Sequence, residues 1–251
     1  MDLGLKGQTA IIMGASRGIG KATALAFAAE GCNVAICARG EDTLYATAHL
    51  LEASGVRVHA AVCDAGDAAA LDAFLDSARG SLGDVQILVN NASAFAFGPD
   101  EDDWRRSFEI DLLAAVHATD RVIPWFLESG GGAIIHVSSS AALEAPGPPA
   151  YSAMKAALLS HAKNIAVAHA AGGIRANCVA PGAVEFPGSI WDDAKKNNPG
   201  VYREMLSSVP GGRMVNDQEV ATAIVFLASP LASGINGAVL AVDAAQHKGN
   251  L

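Results

Sequence analysis

A doubly wound α/β fold, with seven parallel strands and helices on both faces, is what this chain of 251 residues predicts. Three observations carry that reading. Apolar runs of five or six residues alternate with amphipathic stretches of helical period, the rhythm of βαβ units and a parallel sheet. A glycine-rich turn, Gly14-Ala15-Ser16-Arg17-Gly18-Ile19-Gly20, follows directly on the first apolar run. The residues able to do chemistry fall at or just after strand ends, where the ligand crevice of such a sheet lies.

In chain order, apolar runs predict strands over 9–13, 33–38, 57–62, 85–90, 133–138, 174–179 and 238–242. Helical periodicity between them predicts helices over 19–30, 41–53, 68–82, 102–128, 150–171 and 217–228. One stretch breaks the rhythm. Between Pro181 and Val215 no strand is expected, and only a short helix near 202–207. Loops of that length inside a compact domain are usually functional, and this one begins at the end of the sixth strand, over the crevice. With no internal repeat, linker or low-complexity tract, the chain reads as one domain, 1–251, with a substrate-covering segment at about 183–215.

Composition agrees with a buried globular core, since 51% of residues are hydrophobic and 17% charged. A net charge of -9 without a run of Lys or Arg argues against nucleic acid or an anionic membrane as partner. Only residues 1–8 precede the first strand, so no signal peptide is expected. The apolar stretch 156–171 is interrupted by His161, Lys163 and His169 and does not read as a membrane span. A cytoplasmic location follows as the expectation. Cys32, Cys37, Cys63 and Cys178 show no paired spacing and read as small buried hydrophobes in a reducing compartment. The seven histidines form no ligand pattern, so no metal is expected.

Chemistry concentrates at Tyr151 and Lys155. Four residues apart on a helix, they share one face. A free phenol holds its proton to a pH near ~10, and a cation beside it favours the phenolate, bringing proton transfer with a carbonyl or alcohol into reach. Ser138 lies thirteen residues before Tyr151, at the end of a strand, so that both converge on one oxygen atom. Gly14, Gly18 and Gly20 let the backbone turn tightly and approach a pyrophosphate, which the N-terminus of the Ile19 helix stabilises. A phosphate cradle with a tuned acid/base suits hydride transfer.

The order of these motifs, with Asn90-Asn91-Ala92 mid-chain and Pro181-Gly182 late, resembles the short-chain dehydrogenase/reductase family over essentially the whole chain. The resemblance implies a Rossmann-type fold, an NAD(P)-dependent oxidoreductase acting on CH–OH or C=O groups, and a homotetramer (or dimer). It implies Tyr151 as general acid and base, Lys155 as the residue that tunes it and bonds the nicotinamide ribose, and Ser138 as the group polarising the substrate oxygen. It further assigns cofactor contacts to Gly14, Ser16, Arg17, Gly18, Ile19, Gly20, Asp64, Asn90, Ala92, Tyr151, Lys155, Pro181, Gly182 and Val184.

The chain departs from that family at three places. Asp111 stands where an Asn helps hold a relay water, Ser93 replaces the glycine after Asn90-Asn91-Ala92, and Phe186 replaces a Thr that contacts the nicotinamide carboxamide. After the second strand no acid occurs until Glu41, while Arg39 and Arg17 can pair with a 2′-phosphate. NADP(H) is therefore the expected cofactor, with NAD(H) as the alternative. Phe95, Phe97, the stretch 143–146 beginning at Leu143, Phe186, Ile190, Trp191 and Met205 suggest an apolar carbonyl or alcohol substrate. Other readings stay open: an NAD-linked alcohol or hydroxysteroid-type dehydrogenase, a 3-oxoacyl thioester reductase, or a catalytically weak redox sensor that binds a dinucleotide.

Overall fold

Ala10, Ile11, Ile12 and Met13 are all but sealed from water, as a central strand covered on both faces requires. The computed structural model describes residues 2–145 and 147–249. Among them β1 (Thr9–Met13), β2 (Asn33–Ala38), β3 (Val58–Val62), β4 (Ile87–Asn90), β5 (Gly132–Val137), β6 (Ile174–Pro181) and β7 (Val239–Val242) form one sheet. The order is β3-β2-β1-β4-β5-β6-β7, and every adjacent pair is parallel. The winding reverses between β1 and β4, so the crevice opens at the carboxyl ends of those strands.

Helices cover both faces. On one, α1 (Gly18–Ala29), α2 (Glu41–Glu52) and α9 (Asp217–Ala228) contribute Phe27, Leu44, Leu51, Val220 and Ile224 to a buried cluster. On the other, α3 (Ala68–Leu82), α5 (Ala114–Glu128) and α6 (Pro149–His169) bring Phe74, Val122, Phe126 and Ile165 against the alternate strand residues. All four cysteines are free thiols in the buried interior.

Two expectations need correction. The helix expected over 102–128 is three pieces: α4 (Glu101–Arg106), a π-helical stretch (Ser107–Leu113) and α5. Such widened turns recur at functional sites, and this one carries Asp111. The segment after Pro181 holds two helices, not one short one: α7 (Ile190–Asn197) and α8 (Pro199–Ser208). Both start on cap signals, the Ser189 side chain accepting the Asp192 N–H and the Asn198 side chain accepting the Val201 N–H, with Pro199 in the first turn. A parallel bridge between Val184 and Val215 ties the two ends of this segment together.

A polar chain crosses the buried interior beside the crevice. Asn90 Nδ2 lies 3.1 Å from Thr119 Oγ1 and 3.0 Å from His136 Nδ1. With that amide donating, His136 carries its hydrogen on Nε2 and gives it to His161 Nδ1, 3.2 Å away in α6. The two imidazoles stack at 5.1 Å. Complete burial, with His161 and Lys155 nearby, pushes the His136 pKa down to about 3.

The sign of the pH effect follows. The unfolded chain binds a proton at this imidazole near pH ~6.5, the native protein only near 3. Between those values the unfolded state holds more protons, so the stability from neutral His136 is full above ~6.5 and falls as pH drops. Urea unfolding at pH 7 and pH 5 should show the native protein losing about 2 kcal/mol more than His136→Asn over that interval. Parallel pH dependences in the two proteins would refute this.

Candidate active site

A cleft of about 960 Å³ runs along the carboxyl ends of the strands, from Arg39 and Asp64 at one end to Tyr151 and Trp191 at the other. At its centre the glycine turn packs against the loop after β4. Gly14 has φ +69°, and a Cβ there would stand 3.0 Å from Ala92 Cα. A Cβ at Gly20 would run into Gly14 O and the Asn91 amide. Asn91 Nδ2 donates to Met13 O at 3.1 Å and Gly14 O at 2.9 Å, stitching the turn to β4. No side chain caps α1 and no acid sits in its first turn, which leaves its amides free for an anion. A dinucleotide's pyrophosphate fits this cradle.

At the adenosine end, Arg39 and Asp64 line the cleft together with Thr43. Asp64 Oδ1 accepts the Gly66 N–H at 3.1 Å, which orients the carboxylate at the start of its loop. Arg17 also lines the cleft, and its guanidinium donates to Gly188 O at 3.0 Å, tying the turn to the segment after β6. Asn90 is buried, its amide bonding Thr119 and His136, and the cleft wall beside it is formed by Asn91 and Ala92.

Ser138, Tyr151 and Lys155 meet at the floor. Ser138 follows β5, held by its N–H to Val179 O at 2.8 Å, and its hydroxyl donates to Lys155 O at 2.7 Å. Lys155 Nζ donates to Val137 O at 3.1 Å and stands 5.6 Å from the Tyr151 ring centre. It also lies 3.2 Å from Asp111 Oδ1, with side chains 3% and 0% exposed. The aligned hydrogen bond of the ammonium is the one to Val137 O; the carboxylate oxygen makes a charge contact without hydrogen-bond alignment. The other Asp111 oxygen accepts the Ala94 N–H at 3.3 Å.

Toward the open end the wall is apolar. Phe95, with a left-handed φ of 50°, packs edge-on to Phe97, and Phe97 edge-on to Tyr151 at 5.1 Å. Ile190, Trp191 and Met205 close the opposite side. Phe186 lies over Gly18, where any Cβ would strike its ring. Leu143 is not part of the wall, which passes through Ala141 and Glu144 instead; Pro146 lies outside the described residues. Sequence reasoning missed Gln246, which enters the cleft from beyond β7; no motif marks it.

Comparison with known proteins agrees with this geometry. Residues 14–247 match the family model described as Enoyl-(Acyl carrier protein) reductase, which belongs to the short-chain dehydrogenases/reductases. Isoepoxydon dehydrogenase of Penicillium expansum is 33% identical, over 99% of this chain and 98% of its own length. A 7α-hydroxysteroid dehydrogenase solved with NADH and 7-oxo glycochenodeoxycholic acid superposes with a TM-score of 0.90 at 33% identity, covering 97% of this chain and 96% of that one. L-sorbose reductase of Gluconobacter frateurii, solved with NADPH and L-sorbose, gives 0.91 at 34% identity, over 99% and 100%.

The Asp111 pairing generates a test. A carboxylate against the ammonium offsets part of the positive field that Tyr151 feels. Asn keeps an oxygen beside the ammonium, so Asp111→Asn should stay folded. Its pH midpoint for kcat/KM in alcohol oxidation should move to lower pH. An unchanged or raised midpoint would show that the carboxylate does not act on the phenol through Lys155.

Proposed function

The chain belongs to the short-chain dehydrogenase/reductase family, oxidoreductases acting on CH–OH and C=O groups, and on that premise we propose hydride transfer between NADP(H) and a ketone or secondary alcohol of largely apolar character. The observation that carries this is the meeting of Ser138, Tyr151 and Lys155 in the same cleft as the uncapped α1 turn. The nicotinamide, when bound, supplies or accepts the hydride. Gly14, Ser16, Gly18, Ile19 and Gly20 would hold its pyrophosphate, Asp64 and Ala92 its adenosine, and Pro181, Gly182 and Val184 its nicotinamide end.

The chain's own residues handle the proton. The Tyr151 hydroxyl gives it to the carbonyl oxygen in reduction and takes it from the alcohol in oxidation. The Ser138 hydroxyl leaves Lys155 O and turns to the same oxygen, fixing it and drawing off developing charge. Lys155, held by Val137 O and Asp111, stabilises the phenolate and would bond the nicotinamide ribose. Phe95, Phe97, Phe186, Ile190, Trp191 and Met205 exclude water and receive the apolar body of the substrate. The segment 183–215 acts as the cover within a single domain.

Preference for NADP(H) rests on Arg39, since no carboxylate side chain lines the cleft between the end of β2 and Asp64. The enzyme works in the cytoplasm as a homotetramer, whose contacts would use the helices that leave Phe108, Leu113 and Val167 exposed. Among the described residues no helix is long and apolar enough to cross a membrane.

Fluorescence titration should show tighter binding of NADPH than NADH, with Arg39→Asp reversing the order through loss of roughly 1.5–3 kcal/mol from a charge-assisted contact. Equal affinities in the unmodified protein would defeat the assignment. Tyr151→Phe should bind cofactor normally while kcat falls by about 10²–10⁴. If turnover survives within about tenfold, below the range for a general acid/base, the proton path runs elsewhere.

A further inference from the structure

Gln246 occupies an unusual position for a neutral amide. Its Oε1 accepts the Ala183 N–H at 2.8 Å, just past the end of β6. Its Nε2 donates to the thioether of Met205 in α8, 3.2 Å away. One side chain thus bridges the strand end and the covering helices while lining the cleft shared with Tyr151. The backbone fixes it there. Ala244 and Ala245 are both left-handed, at φ 53° and 63°, and Asp243 holds the turn by accepting the Ala245 and His247 N–H groups at 3.0 Å each. Strained, over-determined backbone of this kind marks functional positions.

The two ends of the amide are unequally served. The oxygen has a peptide N–H, a full-strength donor. The nitrogen has a thioether, a weak acceptor, in a cleft whose lining also includes Phe95, Phe97, Ile190 and Trp191. A donor resting on sulfur is available to any better acceptor that enters. At the rim, Glu144 Oε2 accepts the Lys248 N–H at 2.8 Å.

We propose that Gln246 determines substrate choice by moving its amide N–H from the Met205 sulfur to a second oxygen of the substrate, so that the site favours ketones and alcohols carrying a further hydroxyl or carbonyl oxygen. This rests on the reading of the cleft as a ketone and alcohol site. The preference is moderate by construction. A plain ketone leaves the amide on sulfur, never stranded, so the gain is one neutral hydrogen bond over a weaker one, roughly three- to tenfold in kcat/KM.

The experiment compares cyclohexanone with 2-hydroxy- and 4-hydroxycyclohexanone, using NADPH, in the unmodified enzyme and two variants of opposite effect. The better hydroxyketone should exceed cyclohexanone by that factor. Gln246→Glu keeps the acceptor for Ala183 but loses the donor, and should bring the ratio to one or below. Met205→Leu removes the resting acceptor, so cyclohexanone then strands the amide and the ratio should widen. A ratio unchanged in either variant, or of one in the unmodified enzyme, overturns the assignment. Tryptophan fluorescence titration of the NADP⁺ complex with cyclohexanol and 1,4-cyclohexanediol reads the same preference without turnover. Selective binding of the diol with no turnover of any ketone would sink the hydride-transfer reading and leave Gln246 standing; turnover without selectivity would do the reverse.

Discussion

A buried ammonium must be matched by partners, and in this protein that demand organises the active site. Lys155 is almost wholly enclosed, and leaving such a charge unpaired would cost several kcal/mol. Val137 O and Asp111 supply the match. Meeting it fixes three elements at once: β5, whose last carbonyl takes the ammonium; α6, which carries Lys155 and Tyr151; and the π-helical stretch that brings Asp111 inward. The Ser138 hydroxyl, bonded to Lys155 O, and the Ala94 N–H, bonded to Asp111, then follow from the same arrangement. Ser138, Tyr151 and Lys155 are therefore positioned through one another.

The phosphate end obeys a different constraint, that of close backbone approach. Gly14 and Gly20 are needed because the turn and the loop after β4 leave no room for a Cβ. Gly18 answers to the covering segment, since Phe186 rests directly on it. Arg17 reinforces that contact by bonding Gly188 O. The glycine turn and the segment after β6 are thus packed against each other at Gly18 and Arg17.

The fold was legible in the sequence because parallel strands covered on both faces need unbroken apolar runs, and these stood out between helical stretches. Thr9–Met13, Asn33–Ala38, Ala68–Leu82 and Asp217–Ala228 came out at their observed bounds. That Ser138, Tyr151 and Lys155 share one cleft was legible because four-residue helical spacing and strand-end placement are local properties. What was not legible depends on tertiary contacts. The π-helical turn has no sequence pattern of its own, and the bond from Arg17 to Gly188 O joins residues far apart in the chain. Gln246 carries no motif and enters the site only because β7 ends beside β6. The helices at 190–197 and 199–208 could have been found, since Ser189 and Asn198-Pro199 are cap signals.

The three departures from the family pattern are each met by a local partner. The Ser93 hydroxyl accepts the Phe95 N–H at 3.2 Å, supporting the left-handed backbone that aims Phe95 at Phe97 and, through it, at Tyr151. Edge-to-face pairs of this kind contribute about 0.5–1.5 kcal/mol each, so a hydroxyl in place of glycine helps to build the substrate wall. Phe186 fills the space above Gly18 that a smaller residue would leave open. Asp111 neutralises the ammonium it faces. Each departure reshapes the apolar end of the cleft or the charge around Lys155, while Ser138, Tyr151 and Lys155 all line that same cleft.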